Sequence, residues 1–339
     1  MNSSRPYLVR ALYEWIVDND CTPHLLVNAE YPGVQVPPGF ASDGQIVLNA
    51  SPGAVRHLHM DNQAVSFEGR FGGVAHSLYI PAAAILLGLV LLLWAISLQI
   101  NDVSFIDSFW GGGMALLALA SWLRVAEPGP LATLIMAMAV LWGGRLAIYL
   151  YRRWRKEGED PRYARMMRKP REQGRFASAA LTKVFLGQAV LLFLVSSPAQ
   201  AGIVAAGSTK PIGPLALAGL ALWVVGVFFE WVGDWQLARF RADPANKGQV
   251  MDRGLWRYTR HPNYFGDACA WWGIWLAAAS ASWWVAAATV IGPLFLTFTL
   301  TRWSGKPLLE AGLAKRRPGY AEYVTRTSGF VPWPPRSKR

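Results

Sequence analysis

Seven long, mainly apolar stretches after residue 77 constrain the fold of this chain more than any other feature. A helix that crosses a bilayer needs about 20 apolar residues, because every backbone amide must find its partner within the helix when no water is present. The stretches therefore predict a mainly α fold, a seven-helix polytopic membrane bundle. We expect Pro198 to interrupt the fourth helix. The predicted spans are 78–100, 109–123, 131–151, 179–206, 212–234, 265–281 and 283–301.

Lysine and arginine flank these stretches unevenly. Segment 152–175 carries ten of them, 235–264 carries six and 302–339 carries nine, whereas the other connections carry almost none. Because basic loops stay in the cytoplasm, we expect a multi-pass protein of a bacterial inner membrane with a cytoplasmic C-terminus and an external N-terminus. Orientation alone explains part of this charge, and an anionic, phosphate-rich ligand on the same face is the other explanation.

Residues 1–77 differ in character from the rest of the chain. They carry four basic and seven acidic side chains, whereas 78–339 carries 29 and 14 and all but one of the 17 tryptophans. Apolar residues recur at helical spacing between 5 and 17, and four short β-type runs follow, separated by Pro-Gly and Asp-Gly turns. We predict a small α+β domain, a helix plus a β-sheet, over 1–77 and a membrane domain over 78–339. The thin core of the first domain favours a dimer.

Ionisable residues in or beside the spans are the clearest signs of function, because a charge in hydrocarbon is costly. Arg145 lies in the middle of a span, where a structural ion pair with a carboxylate such as Asp107 and a functional role are both open. Glu230 and Asp234 lie four residues apart on one helix face, and Arg241 continues that line toward the cytoplasm. The other members of the group are Lys183, which reaches the membrane surface, and Asp267.

The strongest local motif is GLWRYTRHPNYFGDACAWWGIWL, residues 254–276. Arg257 and Arg260 offer partners for phosphate, Asn263 offers an amide, and Asp267 enters the membrane among aromatic residues. This combination fits an anionic ligand that contains rings. The sequence has neither the GxGxxG nor the GxxxxGK[ST] phosphate-binding pattern, so a nucleotide would bind outside a Rossmann fold. His261 belongs to no metal-binding pattern, and we expect neither a metal nor nucleic acid as a partner.

The N-terminal segments RPYLVRALYEWIVDNDCTPHLLVNAEYPGVQVPPGFASDGQIVLNASPGAV and VSFEGRFGGVAHSLYIPAAA resemble stringent starvation protein B, an adaptor that delivers tagged peptides to the ClpXP protease. The resemblance covers 5–84 and implies a dimer whose groove binds the tag peptide near Gly69, Arg70 and Phe71. The family continues into an acidic tail that docks on the unfoldase. Here Ala84 leads directly into apolar residues, so we expect no delivery to ClpXP through that tail.

Four later segments resemble the bacterial domain of unknown function 1295, a branch of the steroid 5-alpha-reductase superfamily: NDVSFIDSFWG, GEDPRYARM, GLWRYTRHPNYFGD and SGKPLLEAGLAKRRPGYAEYVTRTSGFVPWPP. The resemblance runs from about residue 80 to the end. It implies seven spans, NADPH bound from the cytoplasmic side and reduction of an activated carbon–carbon double bond. The motif positions that line the dinucleotide site of the superfamily fall on Asp234, Arg241, Tyr258, Asn263 and Asp267.

The implied reaction defines what the site must contain. Hydride addition to a conjugated enone builds negative charge on the carbonyl oxygen, so a hydrogen-bond donor aimed at that oxygen accelerates the reaction. The donor should be a tyrosine or a protonated acid, and we expect Asp107, Tyr149 or Tyr151, with Arg145 nearby. An apolar cavity between the spans would exclude water and admit a lipophilic substrate from the bilayer.

Three functions of different classes follow from these patterns. The first is an NADPH-dependent membrane reductase of a lipophilic enone, steroid-like or isoprenoid-like. The second is a methyltransferase of the isoprenylcysteine carboxyl methyltransferase branch, which uses S-adenosylmethionine, a cofactor that needs fewer arginines because it has no phosphate. The third is a peptide-binding protease adaptor held at the membrane, produced by gene fusion.

Overall fold

The computed structural model describes residues 80–303 and 305–336. The chain divides into two units between residues 76 and 77, and the described residues belong to the second. The predicted α+β domain and its groove residues Gly69, Arg70 and Phe71 lie outside the described residues.

The described residues form ten helices joined by short connections. Helix α5 contains a π-helical turn at Leu181–Phe185, and α8 ends in another at Thr299–Trp303. Two 3₁₀ turns, Pro244–Asn246 and Gly254–Arg257, lie between α6 and α7. The helices are α1 Ile80–Ile100, α2 Ile106–Leu123, α3 Pro130–Glu157, α4 Pro161–Glu172, α5 Phe176–Ala206, α6 Pro214–Ala242, α7 Pro262–Ala279, α8 Trp283–Trp303, α9 Lys306–Arg316 and α10 Tyr320–Arg326.

Six of these helices, α1, α2, α3, α5, α6 and α8, are long and apolar enough to cross a membrane. They coincide with six of the seven predicted spans and confirm a mainly helical, multi-pass membrane protein. Large apolar side chains on their outer faces are exposed, as Leu92 and Val190 illustrate. Apolar surface of this extent fits lipid rather than water.

Helix α7 corresponds to the remaining predicted span, 265–281, and is not among the six. Its first turns contain Asn263 and Asp267, which lower its hydropathy. It packs along α6 and also contacts α3, α5 and α8, and the indole of Trp271 is completely buried. A helix surrounded by other helices has little contact with lipid, so its polar residues cost less than they would on an outer helix.

The predicted break at Pro198 is wrong, because α5 runs through this residue to Ala206. Proline removes the N–H that would bond the carbonyl of Leu194. The hydroxyl of Ser197 donates to that carbonyl at 2.8 Å instead. The missing bond is thereby replaced within the helix, and the helix continues.

Helices α3 and α6 both extend past their predicted ends. Helix α3 reaches Glu157 rather than residue 151, and α6 reaches Ala242 rather than residue 234. Basic side chains in the last turns stabilise these ends through the helix dipole. Hydropathy marks where the hydrocarbon ends and not where the helix ends, so the additional turns of each helix are not visible in the apolar pattern.

The connections between the helices lie at one or the other of two opposite ends of the bundle. Near the end of α3, the indole N–H of Trp154 donates to Asp102 in the α1–α2 connection at 2.8 Å. At the opposite end, the backbone N–H of Gly129, before α3, donates to the carbonyl of Gly207, after α5, at 2.9 Å. Helices α3 and α6 therefore run in the same direction, and both finish at the end that carries the basic segment 152–175.

Candidate functional site

An ionic cluster joins α3 to α6. The Nη1 atom of Arg145 lies 2.8 Å from Glu230 Oε1 and 2.7 Å from Asp234 Oδ2. Glu230 and Asp234 are 1% and 3% exposed, so the predicted acidic face of α6 points into the protein. Arg145 forms its ion pairs with these two residues and not with Asp107. Asn263 on α7 donates to Asp234 Oδ1 at 3.2 Å and brings a third helix into the cluster.

Close contact between α6 and α7 brings their polar residues together. A Cβ atom on Gly266 would lie 2.5 Å from the carbonyl oxygen of Gly226 and 2.5 Å from the backbone nitrogen of Glu230. Small residues of this kind let membrane helices approach until their backbones touch. The carboxyl groups of Glu230 and Asp267 interact as a result of this approach.

Buried polar atoms of Glu230, Asp267 and Trp142 lie next to one another. Glu230 Oε2, Asp267 Oδ1 and Trp142 Nε1 make no hydrogen bond of ordinary geometry in the described part of the chain. The Asp267 carboxyl nevertheless interacts with both the Glu230 carboxyl and the Trp142 indole. Buried polar atoms are nearly always hydrogen-bonded in proteins, and these three residues satisfy one another.

Aromatic rings cover the Arg145 guanidinium. Its Cζ atom lies 4.8 Å from the ring centroid of Tyr149, one turn further along α3, and 5.7 Å from that of Trp231 on α6. Rings at these distances attract the cation through their π faces. Tyr151 has a different environment: its ring pairs with Trp154 at 5.8 Å, and the residue is exposed.

A second polar cluster connects α2 to α4. The hydroxyl of Tyr163 donates to Asp107 Oδ1 at 2.6 Å, and Arg162 Nη2 donates to Asp107 Oδ2 at 3.1 Å. Burial, together with the neighbouring Asp107 carboxylate, raises the pKa of Tyr163 well above its ordinary value. The phenol therefore keeps its proton across the physiological range. Asp107 accepts hydrogen bonds on both oxygens, so in this arrangement it acts as an acceptor and not as the donor expected from the sequence.

Helix α5 adds an amide to the second cluster. Gln188 Nε2 donates to the Tyr163 hydroxyl at 3.1 Å, and Gln188 Oε1 accepts from the indole of Trp110. The Tyr163 hydroxyl thus donates to Asp107 and accepts from Gln188. Its position is fixed by three helices, α2, α4 and α5.

Two residues interact electrostatically with both clusters. Tyr264 on α7 interacts with Asp267 of the first cluster and with Asp107 and Arg162 of the second. Arg153 near the end of α3 interacts with Asp234 and Asp107 in the same way. The charges of both clusters therefore act on the same two residues.

The C-terminal segment is bonded to the loop before α7. Arg260 Nε donates to Glu310 Oε1 at 2.8 Å, and its Nη1 donates to the carbonyl of Thr327 at 2.5 Å. Thr259 donates to the carbonyl of Phe330 at 2.7 Å. Arg260 is buried in this contact. Its guanidinium therefore holds the tail in place, a different role from the phosphate binding that the sequence predicts.

His261 shares the Glu310 carboxylate, with its Nε2 atom 3.0 Å from Oε1. Burial would raise the pKa of Glu310, but hydrogen bonds from His261 and Arg260 outweigh it and lower the pKa to about 2. Burial lowers the pKa of His261 in spite of its acidic partner. The imidazole is therefore neutral at neutral pH, and Arg260 balances the charge of Glu310.

Basic residues surround a shallow depression after α6. It has a volume of about 270 Å³ and is lined by Arg241, Lys247 and Arg317, together with Asp243. Arg317 donates to the carbonyl of Gln249. Within the described ranges, no group of three or more His, Cys, Asp and Glu side chains could hold a metal ion.

Residues 93–327 match the family model described as protein of unknown function (DUF1295). The chain belongs to the DUF1295 family. Residues 3–87 match the stringent starvation protein B family. The chain thus joins a DUF1295 domain to an N-terminal segment that is similar to stringent starvation protein B, and both resemblances predicted from the sequence are confirmed.

Individual relatives agree with this division. A stringent starvation protein B homolog of Haemophilus influenzae is 52% identical over 82 residues, which is 24% of this chain and 55% of the relative. The chain thus spans about half the length of that relative. An uncharacterized protein of Schizosaccharomyces pombe is 24% identical over 274 residues, 71% of this chain and 75% of the relative. A probable O-methyltransferase of Ustilaginoidea virens is 36% identical over 90 residues, 26% of this chain and 31% of the relative. No solved structure is significantly similar.

The predicted site residues of the DUF1295 domain fall into three groups. The first group forms or borders the ionic cluster between α3, α6 and α7: Arg145, Tyr149, Asp234, Asn263 and Asp267. The second group consists of Asp107 alone, in the α2–α4 cluster. The third group lies at the basic end of the helices, in the last turn of α6 and in the connection before α7: Arg241, Arg257 and Tyr258 are exposed, and Arg260 is buried against the tail.

Sequence reasoning missed three residues of the DUF1295 domain that the structure places in the site. Tyr163 belongs to the family-like segment GEDPRYARM, whose many basic residues predict a loop and hide the helix α4. Gln188 could have been identified from the sequence, because a polar amide within an otherwise apolar span needs a hydrogen-bond partner. Arg153 was counted only as one of ten basic residues in a topogenic segment.

Proposed function

We propose that the DUF1295 domain is a seven-span membrane reductase that uses NADPH to saturate a carbon–carbon double bond in a lipophilic enone. Helix α7 would be the seventh span, enclosed by the six that the bilayer surrounds. The basic end would face the cytoplasm of a bacterial cell, with the C-terminus inside. The observation that carries the proposal is the buried polar cluster of Arg145, Glu230, Asp234 and Asn263, in a bundle that is otherwise apolar.

The residues present fit a dinucleotide. The carboxyl groups of Glu230 and Asp267, which interact with each other, could accept hydrogen bonds from carboxamide or ribose groups in place of that contact. Arg241 and Arg257 are exposed at the basic end and make no side-chain hydrogen bond or ion pair with other described residues, so both can meet phosphate. NADPH, when bound, supplies the hydride.

Tyr163 is the residue that we propose as the donor to the substrate carbonyl. Its phenol remains protonated, and its O–H group can turn from Asp107 to an oxygen that gains negative charge during hydride addition. Asp107 and Gln188 would hold the ring in position. An apolar substrate would reach this hydroxyl from the bilayer, between helices, where little water competes for the bond.

NADPH oxidation by membranes that contain the full chain tests the proposal. With candidate enones supplied, the Asn263→Ala and Arg241→Ala variants should lose activity, whereas Arg239→Ala should keep it. Arg239 lies two residues before Arg241, on the opposite face of α6, with its guanidinium 5.7 Å from the Trp235 ring. Equal rates for Arg241→Ala and Arg239→Ala would contradict the proposed site.

The second candidate function is methyl transfer from S-adenosylmethionine. The 36% identity with a probable O-methyltransferase favours it. The same carboxyl groups could accept hydrogen bonds from an amino group. Thermal unfolding of the detergent-solubilised chain with each cofactor separates the two functions: stabilisation by NADPH alone supports the reductase, and stabilisation by S-adenosylmethionine alone supports the transferase.

The N-terminal domain adds a proposed peptide-binding function. Its identity of 52% with a stringent starvation protein B homolog supports a dimeric groove for a tag peptide. A labelled tag peptide mixed with the full chain in detergent tests this, and Arg70→Ala should weaken its binding. Unchanged binding in that variant would place the peptide elsewhere.

A further inference from the structure

Arg153 is a half-buried cation near the cytoplasmic end of α3. It follows Tyr149 by one helical turn and Arg145 by two. Arg145 is held by Glu230 and Asp234. The Arg153 side chain forms no hydrogen bond and no ion pair with any other described residue, although its charge acts on several carboxyl groups.

The carboxyl groups that interact most with Arg153 are already bonded to other arginines. Arg153 interacts with Asp107, Asp160 and Asp234 without bonding to them. Arg162 binds both Asp107 and Asp160, and Arg145 binds Asp234. All five N–H groups of the Arg153 guanidinium therefore remain available.

Helix α6 presents a second cation of the same kind. Arg241 follows Asp234 by seven residues and lies on the same helix face. Because α3 and α6 run in parallel and touch at Arg145 and Asp234, the two cations stand at similar heights, about 10 to 12 Å beyond that contact. Tyr149 interacts with both. An anion bound above the ionic contact could therefore meet both cations.

We propose that Arg153 is a phosphate-binding residue, which together with Arg241 holds a phosphoryl group of the ligand between α3 and α6. A planar guanidinium binds two phosphate oxygens at once, so two guanidinium groups together can bind the two phosphates of a pyrophosphate. That this pyrophosphate belongs to a dinucleotide rests on the proposed function. The anion site itself rests on the positions and the unused donors of the two arginines.

The test compares Arg153→Ala with Arg155→Ala in the full chain in detergent. Arg155 is exposed and lies about 200° around α3 from Arg153. NADPH affinity, measured by fluorescence titration, should fall about 10- to 100-fold in Arg153→Ala, as expected for loss of a charged hydrogen bond. It should be unchanged in Arg155→Ala. The salt dependence of binding should also become weaker in Arg153→Ala only.

Inorganic pyrophosphate separates failure of this inference from failure of the proposed function. If the chain binds no NADPH but is stabilised by pyrophosphate, with the effect lost in Arg153→Ala and kept in Arg155→Ala, the reductase is rejected and the anion site stands. Equal stabilisation of wild type and Arg153→Ala, or none of wild type, overturns the inference. Should Arg153→Ala not fold, Arg153→Lys replaces it: its single ammonium should bind pyrophosphate several-fold more weakly than wild type, and affinity equal to wild type overturns the bidentate site.

Discussion

Arg145 determines whether the inner face of α6 can hold two carboxylates. Its guanidinium is 20% exposed and lies within 2.8 Å of both acids. Arg145→Ala would remove the cation that both buried acids contact, and breaking a buried ion pair costs about 3–5 kcal/mol. We expect a clearly lower thermal unfolding temperature in detergent. Arg155→Ala is the control, and equal unfolding temperatures for the two variants would contradict this.

Tyr163 supplies the prediction that depends most on the proposed chemistry. Tyr163→Phe removes one hydroxyl and keeps the ring. We expect kcat for enone reduction to fall by about 10²- to 10³-fold, as for loss of an oxyanion donor, with NADPH affinity unchanged. Steady-state kinetics and NADPH titration measure the two quantities separately. A variant with full turnover would show that another group polarises the carbonyl.

Sequence reasoning at the residue scale identified the charges but not their partners. Arg145, Glu230 and Asp234 stand out in an apolar background, and helical spacing places the two acids on one face. The sequence left open whether Arg145 pairs with Asp107, because that depends on which helices touch. The roles of Tyr163 and Arg153 were hidden, since both lie in a segment whose charge has a sufficient explanation in topology.

The contact between α6 and α7 depends on backbone approach at Gly266. An added methyl group would meet backbone atoms at 2.5 Å, which no side-chain rotation relieves. Gly266→Ala should therefore destabilise the chain by about 1–3 kcal/mol, the usual cost of overpacking. Gly144→Ala is the matched control, because a Cβ atom there meets nothing within 4 Å. Thermal unfolding in detergent compares them, and a Gly266→Ala variant as stable as Gly144→Ala would show that the helices can move apart freely.

The contact between the loop before α7 and the tail should weaken in acid. The pKa of Glu310 is lowered to about 2 from 4.5, so its stabilising contribution is complete above pH 4.5 and is lost as pH falls toward 2. The pKa of His261 is lowered from 6.5, so the unfolded state binds more protons below that pH and stability falls there too. We expect tail cleavage by an acid-tolerant protease to increase in two stages on acidification.

Substitutions show which residue causes each stage of the pH dependence. Glu310→Gln should remove the stage below pH 4.5, and His261→Gln should remove the stage that begins below 6.5. Glu172→Gln, an exposed residue of α4, should change neither. Cleavage that is independent of pH in the wild-type chain would refute this account of the contact.

At the scale of helices, the apolar pattern predicted which segments form helices better than it predicted where those helices end. Six spans coincide with observed helices because hydrophobic length is set by the bilayer. The break at Pro198 was wrong, since one serine hydroxyl replaces the lost bond. The turns of α3 and α6 beyond the membrane could not be predicted from hydropathy, although they carry the arginines that we assign to phosphate.

The whole chain combines two families whose proposed locations conflict. The number of spans and the charge of the connections predict an external N-terminus, whereas an adaptor for ClpXP would need a cytoplasmic one. An alkaline phosphatase reporter fused before Met1 should be active if the N-terminus is external. A green fluorescent reporter fused after the tail should then fluoresce inside. An inactive phosphatase would imply six spans or reversed insertion of α1.

The bond between the tail and the loop before α7 has a practical consequence for handling the protein. The carbonyl of Thr327 completes the hydrogen bonds of Arg260, and Phe330 accepts from Thr259. Shortening the chain before residue 327 would leave a buried guanidinium short of acceptors at the entrance to α7. Purification tags are therefore better attached beyond this segment through a spacer. A loss of activity on truncation would indicate that the loop before α7 has lost its contacts, and not that a catalytic group has been removed.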